Sequence, residues 1–196
     1  MKLLRQQDRL DARAARSAFV GGLAPAVRGA LEQALARHVL PALGSPGILG
    51  TYAACGDEIN PRALEMAAQA AGWRLAWPRV FKGAPLGFHM AQAHELKPGT
   101  LGIPEPPEDA LMVAPDVLLV PLLAVDLQGN RLGQGGGYYD WTLTLMRIIG
   151  RVPAIGIAWD VQIVEIIATE SWDQPLDALA TPTAFHAFDV DAKASL

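Results

Sequence analysis

The stretch VLLVPLLAVDLQGNRLGQGGGYYDWTLTLMRII, residues 117–149, determines the fold class that we predict for this chain of 196 residues. Its first part, residues 117–125, is the most apolar run of the sequence and is typical of a buried strand, broken at Pro121 and continued as a second short strand. A glycine-rich loop follows, and we predict a helix from Tyr138 to Ile149. A buried strand, a glycine loop and a helix in this order indicate an α/β unit.

The rest of the chain also alternates between predicted strands and helices. Short apolar runs predict strands at residues 48–54, 74–77 (stopped by Pro78), 88–92 and 154–158. Helices are predicted at residues 3–18, 25–38 and 61–71, and the proline-rich segment 97–109 is predicted to be a surface connection. We therefore predict a single α/β domain over residues 1–196, with an open, mostly parallel sheet and helices on both faces.

Composition restricts the possible classes of protein. Hydrophobic residues make up 51% of the chain and charged residues 18%, which is enough apolar material for one core. The net charge of -4 argues against a general nucleic-acid binder. The sequence has one cysteine, no run of roughly 20 apolar residues and no apolar signal-peptide core near its start. We expect a cytoplasmic protein that binds neither nucleic acid nor membrane.

The glycine loop is the first candidate binding site. Gly133, Gly135, Gly136 and Gly137 lie between an apolar strand and the start of a helix. Glycine permits close approach of the backbone to a ligand, and a helix N-terminus adds N–H donors, so the loop suits a phosphate group. It lacks the Gly-Lys-Ser/Thr ending of a P-loop, and Tyr138 stands where a dinucleotide fingerprint needs glycine. A flexible surface connection is the alternative.

The residues that flank the loop favour a nucleotide site. Arg131 precedes the loop and suits a phosphate oxygen, whereas Tyr138 and Tyr139 offer flat faces for a ring. Asp140 offers carboxylate oxygen, which Mg²⁺ prefers. Asp140 and the tyrosines also have structural explanations. The helix dipole favours an acid in a first turn, and adjacent tyrosines point about 100° apart on a helix, so that one can pack in the core.

A row of arginines marks one face of the first predicted helix. Arg5, Arg9 and Arg13 recur every four residues and Arg16 follows three later, which places all four on one face. A solvated basic face is the commoner role of such a row. The four histidines have no metal-ligand spacing, and we interpret them as structural or exposed. Cys55, as a lone thiol, is interpreted as a packing residue.

The pattern around the glycine loop resembles one known family. Pro121, Ala124, Asp126, Gly129 and the run RLGQGGGYYD, residues 131–140, resemble the signature of the 5-formyltetrahydrofolate cyclo-ligases, also called methenyltetrahydrofolate synthetases. Similar segments occur across most of the chain: Leu4-Arg5 with Arg13, Asp57-Glu58-Ile59, Pro78-Arg79, the segment 102–106, the segment 156–158, Gln162, Asp173, Asp177 and Thr181.

The resemblance implies a fold similar to the sugar-phosphate isomerase and CoA-transferase group, and an enzyme of folate one-carbon metabolism. It implies ATP- and Mg²⁺-dependent conversion of 5-formyltetrahydrofolate to 5,10-methenyltetrahydrofolate, through phosphorylation of the formyl oxygen. ATP and the folate are the expected partners of a monomer. The implied ATP-binding residues are Lys2, Arg5, Arg131, Leu132, Gly133, Gln134, Gly135, Gly136, Gly137, Tyr138 and Tyr139. The implied substrate-binding residues are Ala53, Glu58, Gln134, Gly135, Gly136, Gly137 and Tyr138, and the implied metal ligands are Asp140 and Asp173.

The chain departs from the family pattern in several places. The family has a lysine four residues before the N-terminal arginine, where this chain has Met1, and Lys2 is the nearest lysine. Leu101 replaces an aromatic residue, Trp172 replaces a histidine, and Pro182 replaces a glutamate. Two alternatives remain: a noncatalytic nucleotide- or folate-binding relative, and a sugar-phosphate isomerase on the same general fold. The intact run from Arg131 to Asp140 argues against the isomerase.

Overall fold

The computed structural model describes residues 2–150 and 152–188, with side chains described from Arg5 onward. All four predicted helices are confirmed, with bounds that differ from the prediction by a few residues at most. None of the helices in this part of the chain is long and apolar enough to span a membrane. The helices are α1 Lys2–Gly21, α2 Pro25–Val39, α3 Arg62–Ala70 and α4 Tyr138–Ile149.

The strands are short, and most of them belong to one sheet of eight. In chain order they are β1 Ile48–Gly50, β2 Arg74–Arg79, β3 Gly87–Met90, β4 Lys97–Pro98, β5 Pro104–Glu105, β6 Met112–Val113, β7 Val117–Pro121, β8 Ala124–Asp126, β9 Arg131–Leu132, β10 Ala154–Ile157, β11 Ile163–Val164, β12 Ala178–Ala180 and β13 Phe185–Ala187.

The large sheet has the order β13-β12-β10-β7-β1-β2-β3-β6. Its five central strands, from β12 to β2, run parallel to one another. The edge strands β13, β3 and β6 are antiparallel to their neighbours. The prediction of an α/β fold with a mostly parallel sheet is therefore confirmed, while its likeness to the isomerase and transferase group stays a prediction.

Helices cover both faces of the sheet, and β7 shows why its sequence is continuously apolar. Val117 and Leu119 pack into the core cluster that includes residues of α1, α2 and α3. Leu118 and Val120 pack on the opposite face, in the cluster that includes Leu143 of α4. Successive strand residues point to opposite faces, so a strand buried on both sides must be apolar at every position.

Two predicted strand boundaries were wrong. The strand predicted at residues 48–54 ends at Gly50, and the following segment turns away to form a loop. β2 does not stop at Pro78 but continues to Arg79, with Pro78 opposite Phe88 of β3. Because β1 ends opposite Ala76, β2 has no β1 residue beside it at Pro78, and the missing N–H breaks no bond on that side.

Pro121 ends β7, and the predicted second short strand is confirmed as β8. β8 pairs with β9 and β11 in a separate three-stranded sheet. The hairpin between β8 and β9 turns on Asp126, a fully buried carboxylate. It accepts hydrogen bonds from the backbone N–H groups of Gln128, Asn130 and Ile167 and from the Asn130 amide. A carboxylate with this many donors fixes the hairpin that carries Arg131.

Candidate nucleotide and folate site

The carboxyl ends of the parallel strands meet at one edge of the sheet, and the predicted site residues lie there. β1 ends at Gly50 and leads to the turn around Glu58, whereas β7 ends at Pro121 and leads through the β8–β9 hairpin to the glycine loop. Ligands of open α/β sheets bind at this edge. In the loop, Gly135 and Gly137 have positive φ values of 102° and 70°, and α4 begins at the next residue, Tyr138.

Arg131 lies on β9 and is buried, with Nη2 2.7 Å from Asp140 Oδ1. Asp140 is in the first turn of α4 and also accepts the backbone N–H of Gln174 at 3.1 Å. Burial lowers the pKa of Arg131, and the charge of Asp140 opposes that effect. The predicted phosphate ligand and one predicted metal ligand are therefore direct partners.

Arg5 and Asp173 form a second pair of the same kind. Arg5 Nη2 lies 2.5 Å from Asp173 Oδ2, although 168 positions separate the two residues. Asp173 also accepts the backbone N–H of Glu170 at 2.8 Å. Since Gln174 binds Asp140, the loop that carries Asp173 joins α1 to the start of α4. The structure thus places Asp140 and Asp173 in one region, each beside an arginine.

The other arginines of α1 also contact residues near the site, and the interpretation of a solvated basic face is wrong for the partly buried Arg9 and the buried Arg16, while Arg13 is exposed. Arg9 Nε donates to the carbonyl of Gly133 at 3.0 Å, and Arg13 Nη2 donates to Gln134 Oε1 at 2.5 Å. Arg16 is only 5% exposed and donates to the carbonyl of Leu122. The regular spacing of these residues was the available signal, but spacing does not reveal a partner far away in sequence.

Glu58 lies in the turn at residues 55–59, which we call the acidic turn, and connects it to the glycine loop. Its Oε2 accepts the Cys55 backbone N–H at 2.9 Å, and its Oε1 accepts the Gln134 amide at 3.3 Å. Arg16 Nη1 lies 3.8 Å from the same Oε1 atom. The structure therefore brings together Glu58 and Gln134, both predicted to bind substrate, and adds Arg16 beside them.

The backbone of the acidic turn is held by residues that the sequence did not single out. Trp159, which follows β10 and is fully buried, donates its indole N–H to the Asp57 carbonyl at 3.0 Å. Arg28 of α2 donates to the Glu58 carbonyl at 3.0 Å and lies over the Trp159 ring. These contacts hold the backbone carbonyls of Asp57 and Glu58, and so fix the direction in which the Glu58 side chain points.

The two tyrosines after the loop have different surroundings. The Tyr138 ring lies against Gly136, where a Cβ atom would stand 2.9 Å from it. The Tyr139 ring lies beside Arg131, with 6.0 Å between the guanidinium carbon and the ring centroid. Burial, and then the charge of Glu58, raise the pKa of Tyr139, while Arg131 lowers it. Both side chains also pack against the core cluster around α4.

The donors of three arginines are incompletely satisfied. In the described part of the chain, the Nε atoms of Arg5, Arg16 and Arg131 are buried and have no hydrogen-bond partner. Buried donors of native proteins are normally paired, so each such group needs an explanation. An anionic ligand among these arginines would supply the kind of acceptor that they lack.

The oxygen ligands suit a divalent hard cation, although they do not form a cage. Among the described residues, no group of three or more His, Cys, Asp or Glu side chains could hold a metal ion. Mg²⁺ commonly uses one or two carboxylates and completes its shell with water and substrate phosphates. Asp140 and Asp173 therefore fit Mg²⁺ that arrives with a nucleotide, and their role as ligands stays a prediction.

The remaining predicted residues differ in their position and exposure. The side chain of Lys2 lies outside the described residues. Leu132 is buried, and its carbonyl accepts the Leu123 N–H, so its side chain belongs to the core. Ala53 lines a cleft beside the acidic turn. Leu101, which stands where the family has an aromatic residue, is 69% exposed with φ of 60°. Their roles in binding stay predictions.

The chain is similar to known proteins of one family. The model of the 5-formyltetrahydrofolate cyclo-ligase family matches residues 5–182. The 5-formyltetrahydrofolate cyclo-ligase of Escherichia coli is 45% identical over 93 residues, which cover 45% of this chain and 50% of that protein. The matched segment thus spans about half the length of this curated relative.

Two solved structures are similar over most of the chain. The NMR structure of 5,10-methenyltetrahydrofolate synthetase from Aquifex aeolicus has a TM-score of 0.76 at 25% identity and covers 94% of this chain and 92% of that one. The 5,10-methenyltetrahydrofolate synthetase from Mycoplasma pneumoniae has a TM-score of 0.66 at 21% identity, covering 88% of this chain and 99% of that one. The second likeness concerns the fold alone.

Proposed function

The chain belongs to the 5-formyltetrahydrofolate cyclo-ligase family, and from this premise we propose that it is an enzyme that converts 5-formyltetrahydrofolate to 5,10-methenyltetrahydrofolate. ATP is the second substrate, and ADP and phosphate are the products that leave. The reaction closes a five-membered ring between the two folate nitrogens. A protein that acts in this way needs adjacent sites for a triphosphate and for a pterin.

The contact between Gln134 and Glu58 is the observation that carries the proposal. It places the glycine loop, which suits phosphate, 3.3 Å from the carboxylate that suits the pterin N–H groups. Two ligands on either side of this contact would lie close enough to react. Arg16, whose Nη1 lies 3.8 Å from Glu58 Oε1, supplies a cationic group beside the same contact.

The proposed chemistry begins with attack of the formyl oxygen on the γ-phosphorus of ATP, which expels ADP. The second folate nitrogen then attacks the activated formyl carbon and loses its proton, and the carbon–oxygen bond breaks as phosphate leaves with that proton. Phosphoryl transfer requires mainly positioning and neutralisation of charge. In this chain Arg131, Arg5 and the loop N–H groups would neutralise the phosphates, and Glu58 would orient the pterin.

Asp140 and Asp173 are the residues that would hold Mg²⁺. When bound, the ion would neutralise phosphate oxygens of the nucleotide. The two carboxylates would have to share their charge between this ion and the arginines that they contact, so both pairs Arg131–Asp140 and Arg5–Asp173 would adjust on binding. Such an exchange of partners keeps the local charge balanced.

The test is product formation by the purified protein, followed by the near-ultraviolet absorbance of methenyl-folate. We expect product only when 5-formyltetrahydrofolate, ATP and Mg²⁺ are all present, together with stoichiometric ADP and phosphate. Product without ATP would contradict the mechanism. Binding of ATP or folate without turnover would instead support the second candidate, a noncatalytic relative, which the displaced Lys2 and Leu101 favour.

A further inference from the structure

A cleft of about 300 Å³ opens next to the acidic turn. Ala53 and Ala54, which precede the turn, and Asn60, which follows it, line this cleft. Tyr52 donates its hydroxyl to the Ile59 carbonyl at 2.7 Å and so closes the base of the turn. A ligand held by Glu58 would therefore have a continuous path into the cleft.

The cleft offers both apolar and polar walls to a ligand. Trp77, Leu96 and Pro104 line it opposite the turn. The Trp77 indole N–H is already bound to the Ala91 carbonyl at 3.1 Å, and the Tyr52 hydroxyl is bound to Ile59. Their polar atoms therefore have partners, and the small part of each buried side chain that faces the cleft is apolar. The volume is at the lower end of the range for small-molecule sites.

One end of the cleft is charged. Glu65 lies at the first turn of α3 with a side chain 2% exposed, and accepts the Thr51 hydroxyl at 2.8 Å. Arg62 Nη1 lies 3.7 Å from Glu65 Oε2, but the Arg62 side chain is 51% exposed at the rim. The guanidinium has five N–H donors, so a single long contact leaves most of them available to a ligand.

We propose that this cleft receives the p-aminobenzoyl-glutamate part of the folate, and that Arg62 binds a glutamate carboxylate at the rim. The inference rests on the proposed function and extends it to the substrate tail. The aromatic amide would lie against the apolar walls, since it continues from the pterin that Glu58 orients. Arg62 would select substrates that carry an anionic tail, because a guanidinium binds a carboxylate through two parallel hydrogen bonds.

A carboxylate at the rim can compete with Glu65 for Arg62. Burial raises the pKa of Glu65 more than Thr51 and Arg62 lower it, so its ionised form loses more by leaving water than it gains from these two partners. A ligand carboxylate at the rim stays in contact with water and does not carry this desolvation cost. Exchange of Glu65 for the ligand carboxylate as the partner of Arg62 is therefore favoured.

The experiment compares two substrates that differ only at the tail: 5-formyltetrahydrofolate and the amide of 5-formyltetrahydropteroate, in which a neutral amide replaces the glutamate and no carboxylate remains. We expect Arg62→Gln to raise KM for the folate by about tenfold or more, because a charge-assisted hydrogen bond is lost. KM for the pteroate amide and kcat for both substrates should change little, since uniform binding is removed. Arg62→Lys should recover part of the effect.

Arg74→Gln is the matched control, because Arg74 is an exposed arginine at the start of β2, at the opposite end of that strand from the site. It removes the same charge and should leave both KM values unchanged. An equal rise of KM for both substrates with Arg62→Gln, or no rise for either, would overturn the assignment of Arg62 while leaving the proposed function intact.

A second measurement does not depend on turnover. Calorimetry with p-aminobenzoyl-glutamate alone should show weaker binding to Arg62→Gln than to the wild type and the Arg74→Gln control. Equal binding to all three proteins would also overturn the inference. If neither substrate yields product with ATP, the proposed function fails, and the calorimetric comparison still decides whether the cleft recognises an anionic tail.

Discussion

Arg131 and Asp140 are bound to each other at 2.7 Å, with side chains 5% and 18% exposed. The sequence predicted separate tasks for them, with one holding phosphate and the other holding Mg²⁺. Their contact shows that each also neutralises the other. Because the pair is largely buried, removing one partner leaves a charge that water reaches poorly.

Loss of the Asp140 charge should destabilise the protein without any nucleotide present. We expect Asp140→Asn to lower the free energy of unfolding by about 2 kcal/mol, since Arg131 loses its charged acceptor. Urea unfolding of Asp140→Asn, Arg131→Met and the double variant measures this. The double variant should lose less than the sum of the single losses. Asp8→Asn, at an exposed position on α1, is the control, and strictly additive losses would contradict the coupling.

The metal prediction is tested by the dependence of the rate on Mg²⁺. If Asp140 and Asp173 hold one ion, Asp140→Asn and Asp173→Asn should each raise the Mg²⁺ concentration that gives half the maximal rate. The double variant should show less than the sum of both effects, because the residues share a partner. Stabilisation by Mg²⁺-ATP in thermal melts should also shrink. An unchanged Mg²⁺ dependence would contradict the metal assignment and leave both residues with structural roles, as partners of the arginines and of backbone N–H groups.

Glu58→Gln should weaken folate binding much more than ATP binding. The amide replaces one acceptor oxygen by a donor, so a pterin N–H would face another N–H, at a cost of about 1.5–3 kcal/mol. The contact with the Gln134 amide would be disturbed as well. Calorimetry with each ligand separately is the measurement. Glu108→Gln, whose side chain is 92% exposed, is the control, and equal losses for both ligands would refute the assignment.

The buried Glu65 should make stability depend on pH. Burial raises its pKa above the ordinary value of 4.5. A folded state with the higher pKa binds the proton more tightly, so this group lowers the free energy of unfolding as pH rises from about 4.5 through the raised pKa. Glu65→Gln keeps an oxygen for the Thr51 hydroxyl and does not titrate.

As pH rises through that window, the wild type should lose stability from this group and Glu65→Gln should not, so the free energy of unfolding of the variant should rise relative to that of the wild type. Above the raised pKa this difference should stay constant. Urea unfolding at a series of pH values measures the difference. The exposed Glu108 offers a control, because Glu108→Gln should give nearly the same difference at every pH. A pH-independent difference for Glu65→Gln would mean that its carboxyl does not titrate as its burial implies.

Much of the central sheet could be predicted because its strands are apolar runs between glycines and prolines. β7 and β10 are buried on both faces, and such runs stand out in a sequence. β12 and β13 were missed, since a strand of three residues is shorter than a periodic pattern can reveal. β12 is positioned by its pairing with β10, and β13 by its antiparallel pairing with β12, whereas the local sequence preference for strand is weak.

The candidate site was predictable where it is local and unpredictable where it is not. Arg131, the glycines and Asp140 lie within ten positions, so a strand, loop and helix necessarily bring them together. Arg16 and Trp159 could not be assigned in this way. The first reaches Glu58 and the second supports the backbone of Asp57 across 102 positions, through contacts that only the tertiary fold creates.

The arginines of α1 have consequences for the order of folding. Each one binds a group that follows it by more than 100 positions, from 106 for Arg16 and Leu122 to 168 for Arg5 and Asp173. On the ribosome, this helix is made long before its partners exist. Contacts between such distant segments form slowly, because a long loop must close first. Until Asp173 has emerged, the helix cannot complete its docking, and Phe19 and Val20 lack part of the core that later covers them. A nascent chain held in that state is a natural client for a chaperone.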